Sequence, residues 1–343
     1  MASALPGDLA QYGWSDRVHA LVASADRPDL VPARVTRVDR DRCGVITSAG
    51  ERTASARPLP AVGDWVLLDG DRVAHVLERW SALERQAAGP TTEAQTLAAD
   101  VDLVLIATGL DRPLRPARVE RELVVAWDSG ARPVVVLTKA DTHPDPDAEA
   151  DELRSRLVGA DVVVTSCTDG RGVGDVRSLI GPSETVVLLG ASGVGKSSLA
   201  NALLGAEVLE VGAVRGSDHK GRHTTVTRNL VPLPGGGVLI DTPGLRGIGV
   251  WQADEGLSKT FADIEELAQR CRFGDCEHRS EPGCAVTEAI EEGRLPAARL
   301  ESWRKLEREA AWMERRRDGR AAAERRREIK VMSRAIRDMP KRY

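Results

Sequence analysis

Residues 190–198 read Gly190-Ala191-Ser192-Gly193-Val194-Gly195-Lys196-Ser197-Ser198, and the first eight fit the phosphate-loop pattern G-x-x-x-x-G-K-[ST]. An apolar run, Thr185 to Leu189, comes before the loop, and a helix-like stretch ending at Gly205 follows it. This is the strand, loop and helix context that the motif requires. Backbone N–H groups of such a loop bind phosphate, while Lys196 reaches the β- and γ-phosphates and the Ser197 hydroxyl ligates Mg²⁺. The stretch predicts an α/β nucleotide-binding domain.

A base-reading motif, Thr138-Lys139-Ala140-Asp141, comes earlier in the chain, after the strand-like run 133–137. An aspartate at its end accepts hydrogen bonds from N1–H and the 2-amino group of guanine. Adenine lacks both donors, so Asp141 predicts selection of guanine. Lys139 can lay its stem along the base. The usual first residue is asparagine, and Thr138 keeps a hydrogen-bonding side chain without the amide.

Ser166-Cys167 ends the next strand-like run, 161–165. We expect its backbone N–H groups to face the guanine O6. The dipeptide is the least specific of the nucleotide motifs, because a short strand with a Ser-Cys turn accounts for it nearly as well.

Two further loops follow the phosphate loop and complete the set. Asp241-Thr-Pro-Gly244 predicts a carboxylate that holds Mg²⁺ through water and, at Gly244, an N–H that meets the γ-phosphate. Thr224 and Thr225 are adjacent, and either could ligate Mg²⁺ in the triphosphate state. The residue after Gly244 is Leu245, which can neither accept a proton nor orient water.

His223 lies beside these threonines and is a candidate to position the attacking water. The alternative is a solvated loop histidine without a catalytic part. We therefore group His223, Lys196, Thr224 and Thr225 as candidate catalytic residues.

The order of these motifs is rotated relative to Ras-like domains, in which the phosphate loop comes first and the base-reading motifs last. Here Asp141 and Ser166 precede Gly190. The chain is therefore expected to contain a circularly permuted GTPase domain, with the loop at Asp241 leading directly into the C-terminal region.

Four metal-ligand side chains cluster in that region as Cys271-x4-Cys276-x-His278-x5-Cys284. Three cysteines and one histidine suit a tetrahedral Zn²⁺ ion, and four protein ligands make a closed, structural site. No signal-peptide pattern precedes the domains, so we expect a reducing, cytoplasmic location in which disulfides are disfavoured. Cys43 lies in a strand-like stretch and is expected to be a buried residue.

Composition excludes some classes of protein. No apolar run is long enough to cross a membrane. The formal net charge is −4, yet residues 304–343 carry fifteen Lys or Arg against seven Asp or Glu. Clusters such as 315–317 and 325–327 suit a polyphosphate partner. The alternative is a solvated helix in which Glu324 and Glu328 pair with nearby arginines.

The sequence divides into five parts. Residues 1–31 have few apolar anchors and are expected to form a mobile N-terminal arm. Short alternating strands and a Gly70 turn in residues 32–85 predict an OB-fold-like barrel, although the same alternation fits an SH3-like barrel. Residues 86–250 form the permuted GTPase domain, residues 251–315 a helical zinc-binding domain, and residues 316–343 a basic tail.

A barrel, a permuted GTPase domain and a Cys₃His zinc domain in this order resemble the RsgA (YjeQ) family of bacterial GTPases. The residues that carry the resemblance are the motifs above together with Gly63, Asp64, Arg79 and Gln95. The resemblance implies GTP hydrolysis stimulated by the 30S ribosomal subunit, binding to 16S rRNA, and a role in late maturation of that subunit. It also implies that a hydrophobic Leu245 is normal and that His223 is a fair candidate to position water.

From these observations we expect a monomer that binds GTP or GDP with Mg²⁺ and holds one structural Zn²⁺. We expect no membrane partner. Three other functions stay open. A GTP-dependent signalling switch would act on a protein effector without rRNA. A phosphotransferase would need an acceptor pocket, and Asp141 argues against it. A passive RNA-binding module with an inert GTPase domain is compatible with Leu245.

Overall fold

The computed structural model describes residues 7–39, 41–86, 94–157, 159–206, 229–241 and 254–315. No helix in these ranges has the length and apolar character to cross a membrane.

Two short helices begin the described chain, α1 at Gly7–Gln11 and α2 at Asp16–Ser24. The Ser15 hydroxyl accepts the Val18 N–H and caps α2. Leu9, Trp14 and Val18 are buried, and the Trp14 ring packs edge-on against Trp65 at 5.5 Å between centroids. The sequence predicted a mobile arm for residues 1–31; its few apolar side chains are instead enough to pack residues 7–24 against the barrel.

The barrel consists of five strands: β1 Val31–Val38, β2 Arg42–Thr47, β3 Gly50–Ser55, β4 Trp65–Asp69 and β5 Arg72–Val76. Their order is β1-β2-β3-β5-β4, and β4 pairs back onto β1 to close the cylinder. Alternate positions point inward, among them Ala33, Val35, Val45 and Val66. The β3–β5 pair is parallel, and this closure confirms the OB-like barrel over the SH3-like alternative.

A two-stranded ribbon joins the barrel to the next domain, with β6 at Ala82–Gln86 and β7 at Ala94–Ala99. The α/β domain contains β8 Leu103–Gly109, β9 Arg132–Thr138, β10 Asp161–Val164, β11 Thr185–Leu189, β12 Asn229–Pro232 and β13 Val238–Asp241. Strand order is β10-β9-β8-β11-β13-β12, parallel except for the β12–β13 pair. The parallel strands are continuous apolar runs, as expected when helices cover both faces.

Four helices cover this sheet: α3 Pro116–Asp128, α4 Pro146–Arg156, α5 Val173–Ser178 and α6 Lys196–Leu204. Two buried clusters lie on its opposite faces, one containing Ile106 and Val187 and the other Leu105 and Val186. Strand β12 also pairs with barrel strand β1, at Asn229 opposite Arg37. One sheet therefore runs from the α/β domain into the barrel.

The C-terminal domain is helical, with α7 Asp254–Thr260, α8 Ala262–Ala268, α9 Ala285–Glu291 and α10 at residues 297–315. It packs on α3. Buried Arg299 of α10 bonds Glu120 of α3 at 3.0 Å and Asp263 of α8 at 2.5 Å. Because burying a guanidinium is costly unless it is paired, these contacts fix α10 against both neighbours.

Candidate functional site

The phosphate loop lies between β11 and α6, at the carboxyl edge of the sheet. Gly190 has φ +132°, and a Cβ there would come within 2.2 Å of the Ala107 carbonyl oxygen on β8. A side chain cannot be accommodated, because both the backbone angle and the contact exclude it. Gly195, at φ +99°, directly precedes α6. The two glycines let the loop turn tightly and direct its N–H groups towards the start of the helix.

The Lys196 ammonium is folded over the loop. It donates to the carbonyl oxygens of Gly190, at 2.9 Å, and of Ala191, at 2.5 Å. A phosphate oxygen is a charged acceptor and competes well with two neutral carbonyls. The lysine is thus held within the region where phosphates bind, ready to exchange partners.

The base-reading strand is tied to the phosphate loop by two side chains. Thr138 is buried at 2% exposure, and its hydroxyl lies against the carbonyl oxygens of Val194 and of Thr108. Lys139 donates to the Gly193 carbonyl at 2.6 Å. A threonine in place of asparagine therefore still connects the two loops.

Asp111 is a site residue that the motifs did not reveal. Its carboxylate pairs with the Lys139 ammonium at 2.9 Å, and this pairing with Lys139 helps to lower the pKa of Asp111. The available signal was its position just after the carboxyl end of β8, the edge where open α/β sheets bind ligands.

The Asp141 carboxylate is oriented by Ser166, whose hydroxyl donates to Oδ1 at 2.8 Å. The Ser166 N–H donates to the Arg171 carbonyl at 2.9 Å, so it does not point to a guanine oxygen as expected from the sequence. Within the described ranges the Cys167 N–H has no acceptor. The two residues therefore have different roles in the described structure. The Ser166 hydroxyl orients the Asp141 carboxylate, and the Cys167 N–H is available as a donor.

Asp241 ends β13, which pairs in parallel with β11, so its carboxylate lies at the same edge as the phosphate loop. Burial raises the pKa of the Asp241 carboxyl, and the part of the chain that the structure describes supplies no ion pair to offset it. Ser197 lies in the first turn of α6, directly after the phosphate loop that follows β11. A hydroxyl and a carboxylate at adjoining loops are ligands that suit Mg²⁺. His223, Thr224, Thr225, Gly244 and Leu245 lie outside the described residues.

The four predicted zinc ligands come together in the C-terminal domain, with all four donor atoms within 4.8 Å of one another. His278 Nδ1 is 3.6 Å from Cys271 Sγ and 3.5 Å from Cys284 Sγ, and the two sulfurs are 3.9 Å apart. Bond lengths to tetrahedral zinc require edges of about 3.5 Å for N···S and about 3.8 Å for S···S. The cluster fits one Zn²⁺ ion.

Neighbouring groups hold these ligands in place. The Glu281 carboxylate accepts N–H groups of Glu277, Arg279 and Ser280 at 2.7–3.0 Å, which fixes the turn carrying His278. The backbone N–H of Glu281 itself, together with these three N–H groups, lowers the pKa of the Glu281 carboxyl to about 2. Arg304 of α10 donates to the His278 carbonyl at 2.6 Å. The knuckle is therefore attached to the helix that packs on α3.

The other residues that carry the resemblance form the junction between barrel and α/β domain. Gly63 has φ +97°, and a Cβ there would lie 2.2 Å from the Ala99 carbonyl oxygen. Next to it, buried Asp64 accepts two hydrogen bonds from Arg79, at 2.6 and 2.7 Å. Gln95 accepts from Arg85 across the ribbon at 2.9 Å. Gly63 thus allows the close approach of the barrel to β7, whereas Gln95 bonds within the ribbon.

A parallel sheet with the base-reading loop, the phosphate loop and the Asp241 loop at one edge, in rotated chain order, defines a circularly permuted GTPase. The barrel before this domain and the Cys₃His domain after it distinguish one family among the circularly permuted GTPases. A sequence model described as RsgA GTPase matches residues 76–251. The chain belongs to the RsgA family of GTPases, which hydrolyse GTP with Mg²⁺ and act in ribosome biogenesis.

Similar proteins cover nearly the whole chain. A relative from Streptomyces coelicolor, named small ribosomal subunit biogenesis GTPase RsgA, is 48% identical and covers 94% of this chain and 92% of its own length. One of the same name from Streptomyces avermitilis is 46% identical, with 96% and 94% covered. The crystal structure of YjeQ from Thermotoga maritima superposes with a TM-score of 0.60 at 23% identity, covering 82% of this chain and 99% of that one. That likeness supports the fold.

Proposed function

We propose that the protein binds the 30S ribosomal subunit through 16S rRNA and assists its late maturation, with GTP hydrolysis stimulated by the subunit. The observation that carries this is the 48% identity, over 94% of the chain, to a relative named for small ribosomal subunit biogenesis. An OB-like barrel, a class of fold that often binds oligonucleotides, supports an RNA partner. The same assignment places the protein in the cytoplasm, where the subunits are assembled.

For the nucleotide, we assign Asp141 to the N1–H and 2-amino group of guanine and the Cys167 N–H to its O6. The hydrogen bond from Ser166 leaves Oδ1 of Asp141 fixed in direction, so the carboxylate is preorganised for those donors. Thr138 and Lys139 keep the base-reading strand in register with the loop that wraps the phosphates. Guanine recognition and phosphate binding are thereby coupled.

For the phosphates, we assign Lys196 to the β- and γ-oxygens, and Ser197 and Asp241 to the magnesium ion. Bound Mg²⁺ supplies neutralisation of the charge that develops on the phosphates. Thr224 or Thr225 is the third candidate ligand, and Gly244 the candidate N–H donor to the γ-phosphate. Leu245 offers no polar group to the water, so His223 is our candidate for positioning it.

Stimulation by the subunit is the test of this assignment. GTP turnover is measured for the protein alone, with stoichiometric 30S subunits, and with 50S subunits as control. A large stimulation confined to 30S supports the proposal. Stimulation by neither particle removes the ribosomal assignment and favours a switch acting on a protein effector. Replacing His223 by Ala is expected to abolish the stimulated rate while leaving GDP affinity unchanged.

Release after hydrolysis is tested by affinity. A ligand shifts an equilibrium only by its differential binding to two states. The 30S subunit should therefore bind more tightly with a non-hydrolysable GTP analogue than with GDP. Equal affinities would exclude hydrolysis-driven release.

A further inference from the structure

The zinc knuckle displays an aromatic side chain that no ligand or packing role explains. The chain has two phenylalanines. Phe261 is fully buried under α8, whereas Phe273 is 42% exposed. Phe273 lies in the middle of the spacer between ligands Cys271 and Cys276. An exposed aromatic ring in a metal-held turn gains little free energy from burial unless a partner covers it.

An arginine is stacked on this ring. The guanidinium of Arg272 lies 5.6 Å from the centroid of Phe273. Its backbone N–H donates to the Gly283 carbonyl at 3.1 Å. A Cβ on Gly283, which has φ +78°, would lie 3.1 Å from Arg272 Cβ and 3.5 Å from Cδ, so the arginine stem passes directly over that glycine. The ring and the guanidinium are therefore preorganised as a unit between two zinc ligands.

Arg272 differs from the neighbouring arginines of the knuckle in its ion pairing. Nearby arginines are paired, Arg270 with Glu266 at 2.5 Å and Arg279 with Glu277 at 3.1 Å. Arg272 forms no ion pair with any described residue. The exposed Asp275 in the same turn limits the general positive potential. The surface is thus not a broad basic patch but one flat ring with one free cation beside it.

We propose that Phe273 and Arg272 form a stacking platform for an unpaired RNA base, with an adjacent phosphate meeting the Arg272 guanidinium. Every base has a π-face, and stacking on aromatic rings and guanidinium planes is the common way in which proteins bind unstacked nucleotides. A free cation next to the ring adds the backbone contact. The inference deepens the proposed function, since the RNA would be that of the subunit.

The variants are Phe273→Ala, Phe273→Trp and Arg272→Ala, each in the full-length protein. Zinc content and basal GTP turnover confirm that the variants are folded. Trp312→Ala is the matched control, because Trp312 is 48% exposed on α10 but lies outside the knuckle. Binding is measured to a short labelled oligoadenylate RNA and to 30S subunits with a non-hydrolysable GTP analogue, at several salt concentrations.

We expect Phe273→Ala to weaken binding of both probes about tenfold, within the range for loss of one stacked base. The slope of log affinity against log salt should not change, because no charge is removed. Phe273→Trp should restore binding, and Trp312→Ala should leave it intact. Arg272→Ala should instead reduce the magnitude of the slope by about 0.7 to 0.9, as for one phosphate contact.

Several outcomes would overturn the platform. One is wild-type affinity of Phe273→Ala for both probes, and another is an equal loss with Trp312→Ala, which would indicate nonspecific apolar contact. A loss confined to 30S, with none on the oligonucleotide, would assign the ring to a ribosomal protein. Failure of the proposed function gives a different result. If oligonucleotide binding depends on Phe273 but the protein does not bind 30S subunits, the platform proposal stands and the proposed 30S partner is rejected.

Discussion

Arg34 on the first barrel strand donates a hydrogen bond of 2.6 Å to the hydroxyl of Thr185, the first residue of the strand that leads into the phosphate loop. The backbone N–H of Thr185 donates to Asp102 at 2.8 Å. The same guanidinium donates to the carbonyl oxygens of Gly63 and Tyr12. One buried cation thus joins the N-terminal segment, the barrel and the nucleotide-binding strand.

We expect Arg34→Met to lower the free energy of unfolding by about 3–5 kcal/mol, because it leaves two carbonyl oxygens without their donor and buried Asp100 without the cation that faces it. Arg37→Met on the same strand is the control. The Arg37 side chain is 49% exposed and, among the described residues, forms an ion pair with Asp39 alone, so its loss should cost below about 1 kcal/mol. Urea unfolding followed by circular dichroism measures both. Equal effects would contradict a structural role for the buried cation.

Asp100 lies beside this cation, and burial raises its pKa to about 7. Because the folded state then binds a proton that the unfolded state has lost, stability falls as the pH rises between about 4 and 7, by up to about 1.4 kcal/mol per pH unit. Asp100→Asn keeps an acceptor for the Trp80 N–H but cannot titrate. Unfolding midpoints across this range should be less pH-dependent in the variant; parallel curves would disprove the shift.

Thr138 is expected to act through its hydroxyl. Thr138→Val has nearly the same shape but loses the contact with the Val194 carbonyl. GDP affinity should fall about fivefold, the value of one hydrogen bond of about 1 kcal/mol. Thr138→Ser keeps the hydroxyl and should bind GDP as the wild type does. A fluorescent GDP analogue reports both affinities, and an unaffected valine variant would show that the tether is dispensable.

Asp141 should determine the base. An asparagine there offers an N–H to the 2-oxo group of xanthine and one acceptor fewer to guanine, so Asp141→Asn should prefer XTP over GTP. We expect GTP affinity to fall by about 100-fold or more, since the N1–H and 2-amino group of guanine lose a charged acceptor. Competition between XTP and GTP for the labelled nucleotide is the measurement. Retained preference for GTP would place the base elsewhere.

The zinc site gives a prediction with an internal control. Cys271→Ser should reduce bound zinc from one equivalent per chain to nearly none, and should lower the melting temperature of the C-terminal domain, because metal binding contributes directly to folding of such sites. Cys43 is buried in the barrel and Cys167 is exposed beside the base loop. Serine at either position should leave zinc content unchanged. Elemental analysis by mass spectrometry measures the zinc bound per chain in each variant.

Local motifs could be predicted from the sequence because their signal is contained in a few neighbouring residues. The glycines of the phosphate loop and the four clustered zinc ligands were identified this way, whereas the base-reading role of Asp141 stays a prediction. Arg34 and Thr185 could not be paired in advance, since 151 positions separate them and an arginine in a strand pattern is usually a solvated residue.

The N-terminal helices were missed for a related reason. The buried side chains of this segment, Leu9, Trp14 and Val18, pack against residues of barrel strands β2 and β4. Asp111 was missed because its position just after β8 does not by itself show that its carboxylate pairs with Lys139. In each case the decisive information lies in the tertiary contact.

The strand order has a consequence for communication between domains. Residues 229–232 follow the segment that contains Thr224 and Thr225, and they form β12, which pairs with barrel strand β1. Residues 254–260 follow the segment that contains Gly244, and they form α7, whose Gly256 N–H donates to Asp128 of α3 at 2.7 Å. Each of the two segments that we propose to contact the γ-phosphate is therefore followed by an element that belongs to, or pairs with, a different accessory domain. One bound nucleotide can therefore influence the barrel through β12 and the zinc domain through α7, by two separate segments of the chain.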